Sequence, residues 1–147
     1  MTWDWAAIRA GAGVCLVFAV PFSIGARVAA DSDRSSLAHA LSLGAVAGFV
    51  VGAGCAAWLQ RAGTPLSHGL VTATGTYVLA QAVFIVVRLA RSASVSWFAA
   101  LFNLSIVVGA GLVGGLLGQR LRDSGVTPTS EHREKSGPRR RAPAARS

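Results

Sequence analysis

The groups that could carry chemistry in this chain are few: three histidines (His39, His68, His132), two cysteines (Cys15, Cys55) and six carboxylates in 147 residues. A metal centre needs several such ligands at close spacing, and hydrolysis needs a nucleophile beside a base. Neither pattern occurs: there is no HExxH, no CxxC and no Ser/His/Asp set. His39 and His68 fall at the ends of different apolar stretches, on opposite sides of a membrane if those stretches cross it. Each cysteine lies inside an apolar stretch, where a thiol packs as a small hydrophobe. The expectation is a non-enzymatic chain with no metal and no cofactor.

The remaining polar residues are mild. Thr74, Tyr77, Gln81 and Arg88 follow at +3, +4 and +7, which aligns them on one helix face, and Asn103 and Ser105 lie in a later stretch. Such a seam could line a solute path. The plainer reading, which we favour, is hydrogen bonding between helices, with Arg88 reaching to the membrane surface. No Asp or Glu lies within an apolar stretch, which weighs against proton-coupled export through a buried carboxylate. Glycine repeats at four-residue intervals: Gly44, Gly48 and Gly52 on one helix face, then Gly111 with Gly115 and Gly114 with Gly118. Small faces let membrane helices approach closely. The glycine density of the chain alone produces some such pairs, and a four-helix bundle must pack its own small faces first, so packing within one bundle is preferred to a dimer face.

The elements that must position these residues are legible from charge. Only 14% of the chain is Asp, Glu, Lys or Arg, against about 25% in a soluble domain, and 52% is hydrophobic. Between Arg9 and Arg27, Arg34 and Arg61, Arg61 and Arg88, and Arg91 and Arg120 lie 17, 26, 26 and 28 residues without a charged side chain. Each is long enough to cross a bilayer. The expected fold is all-α: four transmembrane helices over about 6–30, 37–59, 69–89 and 96–118, joined by short connections into an up-down antiparallel bundle. Residues 1–118 thus form the membrane domain, and no room remains for a soluble catalytic domain. Pro21 is expected to kink the first helix. Arg9, the apolar run from Val14 to Val20 and the Val28-Ala29-Ala30 ending loosely imitate a cleaved signal peptide, but Asp4 and Arg27 are atypical of one.

From Gln119 the composition turns to Arg, Ser, Thr, Pro and Glu, so residues 119–147 are expected to be a disordered basic tail. It holds eight of the 14 Lys and Arg residues. Arg120, Arg122, Arg139, Arg140 and Arg141 are the candidates for anionic lipid headgroups. The tail lacks aromatic residues for base stacking, so nucleic acid is not an expected partner. The partners expected are the bilayer, and a membrane protein or a second copy of this chain. Counting Lys and Arg gives ten on the side of both termini and four opposite, which places the termini in the cytoplasm. Arg in place of Lys and the abundance of Ala and Gly suggest a GC-rich bacterial source and hence a bacterial plasma membrane.

The run Gly44-Ala-Val-Ala-Gly48-Phe-Val-Val-Gly52, followed by Thr64-Pro-Leu-Ser-His68-Gly69-Leu70, resembles a family of small four-span bacterial membrane proteins of unknown function. Trp97, Phe98, Asn103 and Gly114-Gly115 would be its fourth-span features, so the resemblance covers roughly Ala40 to Gly118. It implies the same architecture and supplies no activity. It also implies that His68-Gly69 is a structural entry motif, with His68 bonding the loop or the helix start. The functional expectation is a multi-pass protein that packs with or regulates membrane partners, with an oligomeric channel, holin-like pore or small-solute transporter as the alternative.

Overall fold

The computed structural model describes residues 3–92 and 94–126, so Arg139, Arg140, Arg141 and His132 lie outside the described residues. Four helices follow in order: α1 (Trp5–Asp31), α2 (Ser35–Leu59), α3 (Pro65–Ala90) and α4 (Trp97–Asp123). They contain 27, 25, 26 and 27 residues. At 1.5 Å per residue each is about 37–40 Å long, more than the roughly 30 Å hydrocarbon core of a bilayer. All four are long and apolar enough to cross a membrane, the architecture of a multi-pass membrane protein.

Local chemistry sets the helix ends. Asp4 and Ser96 accept hydrogen bonds from the Ala7 and Ala99 N–H groups, satisfying donors that no helical carbonyl reaches. α3 begins at Pro65, four residues ahead of the Gly69 expected from sequence, because proline in the first turn lacks only an N–H that the helix does not use. Gly63, at φ +75°, turns the chain just before it. α1 runs unbroken through Pro21. α4 continues past Gly118 to Asp123, so Gln119, Arg120 and Arg122 are helical. The two arginines sit in its last turn, where the carbonyl end of the helix favours positive charge.

The short connections make consecutive helices antiparallel, so α2 and α4 run in the same direction, as do α1 and α3. α2 and α3 each pack against all three other helices, whereas α1 and α4 do not meet. The cross-section is therefore a rhombus, with α2 and α3 central and α1 and α4 at opposite corners.

Burial is uneven along the axis. The buried positions of α3 are His68, Gly69, Thr72, Ala73 and Thr76, and those of α4 run from Val107 to Gly118. Apart from Val107 and Ala110 near the middle of α4, all lie toward the end that carries the chain termini and the α2–α3 turn, the termini end. From Val78 to Ala90, and from Trp97 to Ile106, no residue is buried, so α3 and α4 bury little toward the opposite, two-loop end.

The size pattern is that of a membrane bundle. Ala53, Ala56, Ala57 and Ala73 are fully buried, while Val17, Leu43, Leu79 and Phe98 are 68% exposed or more. Large apolar side chains gain nothing by leaving lipid, so close backbone packing decides which residues turn inward. The core joins Cys15, Ala19, Phe49, Ala53, Ala73, Val107 and Ala110, with the Tyr77 ring edge-on to Phe49 at 6.4 Å. Trp3, Trp5 and Trp58 stand at the termini end and Trp97 at the other, levels at which indole rings meet the membrane interface.

Candidate functional site

The glycines of α2 and α4 sit at helix crossings. A Cβ on Gly44 would lie 2.7 Å from the Phe22 ring and one on Gly48 2.5 Å from the Phe18 Cβ, while one on Gly52 would strike Cys15 Sγ and the Gly11 carbonyl, all on α1. On α4, Gly111 and Gly115 meet α3 at Ala73 and Leu66. Gly114 and Gly118 meet the other neighbour, α2, at Ala53 and Ala57, 2.8 Å from where each Cβ would be, and against the carbonyls of Val50 and Gly54. Gly69 completes the set, with a Cβ 2.8 Å from the Gly115 Cα. Two staggered small faces on α4 thus serve two partners. By contrast, Gly13, Gly75 and Gly109 have nothing within 4 Å of a Cβ.

At the termini end, polar groups tie the chain segments together around a fully buried His68. Its Nδ1 lies 2.9 Å from the Thr64 carbonyl and 3.2 Å from Thr64 Oγ1, and its Nε2 accepts from the Asp4 backbone N–H at 3.0 Å. An N–H donor facing Nε2 requires the neutral tautomer with the proton on Nδ1, which then donates to the Thr64 carbonyl. The Trp3 ring covers the imidazole at 5.3 Å. The Asp4 carboxylate spans the same junction, with Oδ1 accepting from the Ala7 N–H at 3.1 Å and Oδ2 from the Arg61 N–H at 3.2 Å. α4 joins through Arg122, whose Nη1 donates to the Gln60 carbonyl, and through Trp58, whose Nε1 donates to the Val126 carbonyl at 2.6 Å. Gln60 itself is 1% exposed and accepts from the Thr64 N–H. Arg122, a headgroup candidate by sequence, is thus half-buried and engaged within the protein, while Arg120 is exposed.

This clasp was only partly legible in the sequence. Asp4 ahead of an apolar helix is an N-cap signal, but nothing local indicates that its backbone N–H would meet a histidine 64 residues away.

The Ala7 N–H holds the Asp4 carboxyl below its usual 3.8, aided by the Arg61 N–H and opposed by burial. A lowered carboxylate pKa contributes stability that is complete above the unfolded value and is lost as pH falls through the folded one. Acidification below about pH 3.8 should therefore loosen the N-terminus and shift tryptophan emission in detergent micelles. The Asp4→Ala variant should be less stable at neutral pH by about 0.5–2 kcal/mol and show no such acid step. An identical acid step in the variant would dissociate it from Asp4.

The polar residues of α3 and α4 divide into two groups. Tyr77 Oη donates to the Ala100 carbonyl at 2.9 Å, linking the two helices. Thr74 Oγ1 is buried without a hydrogen-bond partner, as is Thr72 Oγ1. Gln81 and Asn103, from facing helices, line a crevice of about 240 Å³ at the two-loop end, together with Arg27, Phe84, Arg88 and Ser96. The Arg88 guanidinium lies over the Phe84 ring at 5.6 Å. A larger open cleft of about 470 Å³ lies at the termini end beside Asp4, Leu59 and Arg61. Its carboxylate is committed to the clasp.

Cys15 is buried and Cys55 half-buried, both as free thiols. Among the described residues no three His, Cys, Asp or Glu side chains gather as metal ligands. The chain matches no family model, no curated protein and no solved structure.

Proposed function

We propose that the chain is a non-enzymatic, multi-pass protein of a bacterial plasma membrane that acts by packing with or regulating other membrane proteins. In this reading its termini face the cytoplasm, which the excess of Lys and Arg on their side supports, and its basic C-terminal residues lie on anionic headgroups. The observation that carries this reading is the filled interior. Gly11 against Gly52, Gly69 against Gly115, and Gly114 and Gly118 against the carbonyls of Val50 and Gly54 bring helix backbones into direct contact. The polar crevice is confined to the two-loop end. A single bundle packed in this way has little interior volume for a solute path, which supports lateral contact as its means of action.

Reconstitution tests this against the alternative of an oligomeric pore or small-solute transporter. Proteoliposomes carrying the purified chain should hold ions and small solutes as well as empty liposomes do. Reproducible, selective flux that scales with protein density would replace this reading with the transport one.

A further inference from the structure

We propose that the crevice at the two-loop end binds the phosphodiester headgroup of an anionic phospholipid, with phosphatidylglycerol as the fitting chemistry. It is lined by α1, α3, α4 and the α3–α4 connection, with no residue from α2. Arg27, Arg88 and Ser96 stand within a few residues of the helix ends, the level at which headgroups meet a membrane protein. Arg27 from α1 and Arg88 from α3 both line it. Arg27 is paired with Asp31 at 3.6 Å, whereas Arg88 meets no carboxylate among the described residues. The site thus holds about one uncompensated positive charge, the match for one phosphodiester, and guanidinium groups present paired donors to phosphate oxygens.

The uncharged groups fit the rest of a lipid headgroup. Gln81 lies seven residues before Arg88, and Asn103 seven residues after Ser96, so both amides sit about 10 Å deeper along their helices. The interfacial layer is about 5–8 Å thick on each side of the hydrocarbon core. Both amides therefore reach the level of the glycerol esters, whose carbonyl oxygens accept from them. Neither amide is hydrogen-bonded to another described residue. The crevice is smaller than the roughly 300–1,000 Å³ that encloses a whole drug-sized ligand, so it takes the phosphate and glycerol while the acyl chains lie outside along exposed Val83 and Phe102. A choline headgroup would set a further cation beside two guanidinium groups.

The test uses the full chain in detergent with Arg139, Arg140 and Arg141 changed to Gln in every variant, which removes the densest basic cluster of the C-terminal residues and keeps what remains there constant. Native mass spectrometry then compares phosphatidylglycerol, phosphatidylcholine of the same acyl chains, and inorganic phosphate. One phosphatidylglycerol should bind about tenfold more tightly than phosphatidylcholine, and the R27Q/R88Q variant should bring it to the phosphatidylcholine level. R88K should fall between, because a lysine keeps the charge and loses the paired donors. Equal binding of the two lipids, undiminished phosphatidylglycerol in R27Q/R88Q, or displacement by inorganic phosphate at equal concentration would overturn the assignment, the last in favour of a soluble anion. A thermal melt shared with the parent shows that lost lipid is not lost fold. If R27Q/R88Q melts lower, the near-isosteric N103L variant carries the same readout, and unchanged phosphatidylglycerol binding there would overturn the proposal.

Discussion

Adding one methyl group at Gly52 should destabilise the bundle by about 1–3 kcal/mol, the usual consequence of overfilling a packed site. The Cβ of Gly52→Ala would collide with Cys15 Sγ, lie 2.7 Å from the Gly11 carbonyl and 2.8 Å from the Cys15 nitrogen. Two of these are backbone atoms of a helix, so relief requires α1 to move away from α2 as a body. Gly114→Ala should act similarly at the α2–α4 crossing, where the obstruction includes the Val50 carbonyl. Gly13→Ala and Gly109→Ala, with nothing within 4 Å, supply the reference. They should leave stability unchanged or raise it slightly, since alanine is the better helix former by about 1 kcal/mol in water. Unfolding in mixed micelles with increasing denaturing detergent, followed by circular dichroism, separates the two groups. Equal effects at Gly52 and Gly13 would mean that close approach of α1 and α2 contributes nothing.

His68→Ala should be the most damaging single change at the termini end. It removes a fully buried side chain and leaves the Asp4 N–H without its acceptor, while the Thr64 carbonyl keeps only the His68 backbone N–H. An unsatisfied donor costs about 1–3 kcal/mol, the emptied volume adds to this, and water reaching the void reduces the figure. A net loss of about 2–4 kcal/mol is expected, together with a red shift of Trp3 emission as its ring loses the imidazole at 5.3 Å. His68→Gln should recover part of it, because its carbonyl can accept from Asp4 in place of Nε2. His68→Phe keeps the volume and the contact with Trp3 but supplies neither hydrogen bond, so it should resemble Ala in stability and the parent in emission. Wild-type stability in His68→Phe would show that His68 acts by filling space.

How far the chain could be read in advance differs between its levels. The four spans and their alternation follow from charge-free runs of spanning length and from connections too short for anything but reversal. The ends were less legible. Pro65 starts α3 four residues early because helix geometry tolerates proline in the first turn, and α4 runs on through Arg120 and Arg122 because long cationic side chains suit its last turn. The seam of Thr74, Tyr77, Gln81 and Asn103 is a single face on paper. In the folded chain Tyr77 closes onto α4, whereas Gln81 and Asn103 border an open crevice at the two-loop end, where neither helix buries a residue.

Sequence by itself determined that four apolar helices cross a membrane and that α2 and α4 carry glycine at helical spacing. It could not determine which helix each glycine face meets. Membrane helices have no apolar stripe driven inward by water, since lipid is as apolar as leucine, so the pattern of large and small residues does not name a partner. Only the tertiary structure decided that α4 lies along α2, that Gly111/Gly115 and Gly114/Gly118 serve different neighbours, and that α1 and α4 stay apart. The same holds for the clasp: Asp4, Gln60, His68 and Arg122 belong to four separate segments, and packing of the helix ends brings them within hydrogen-bond reach.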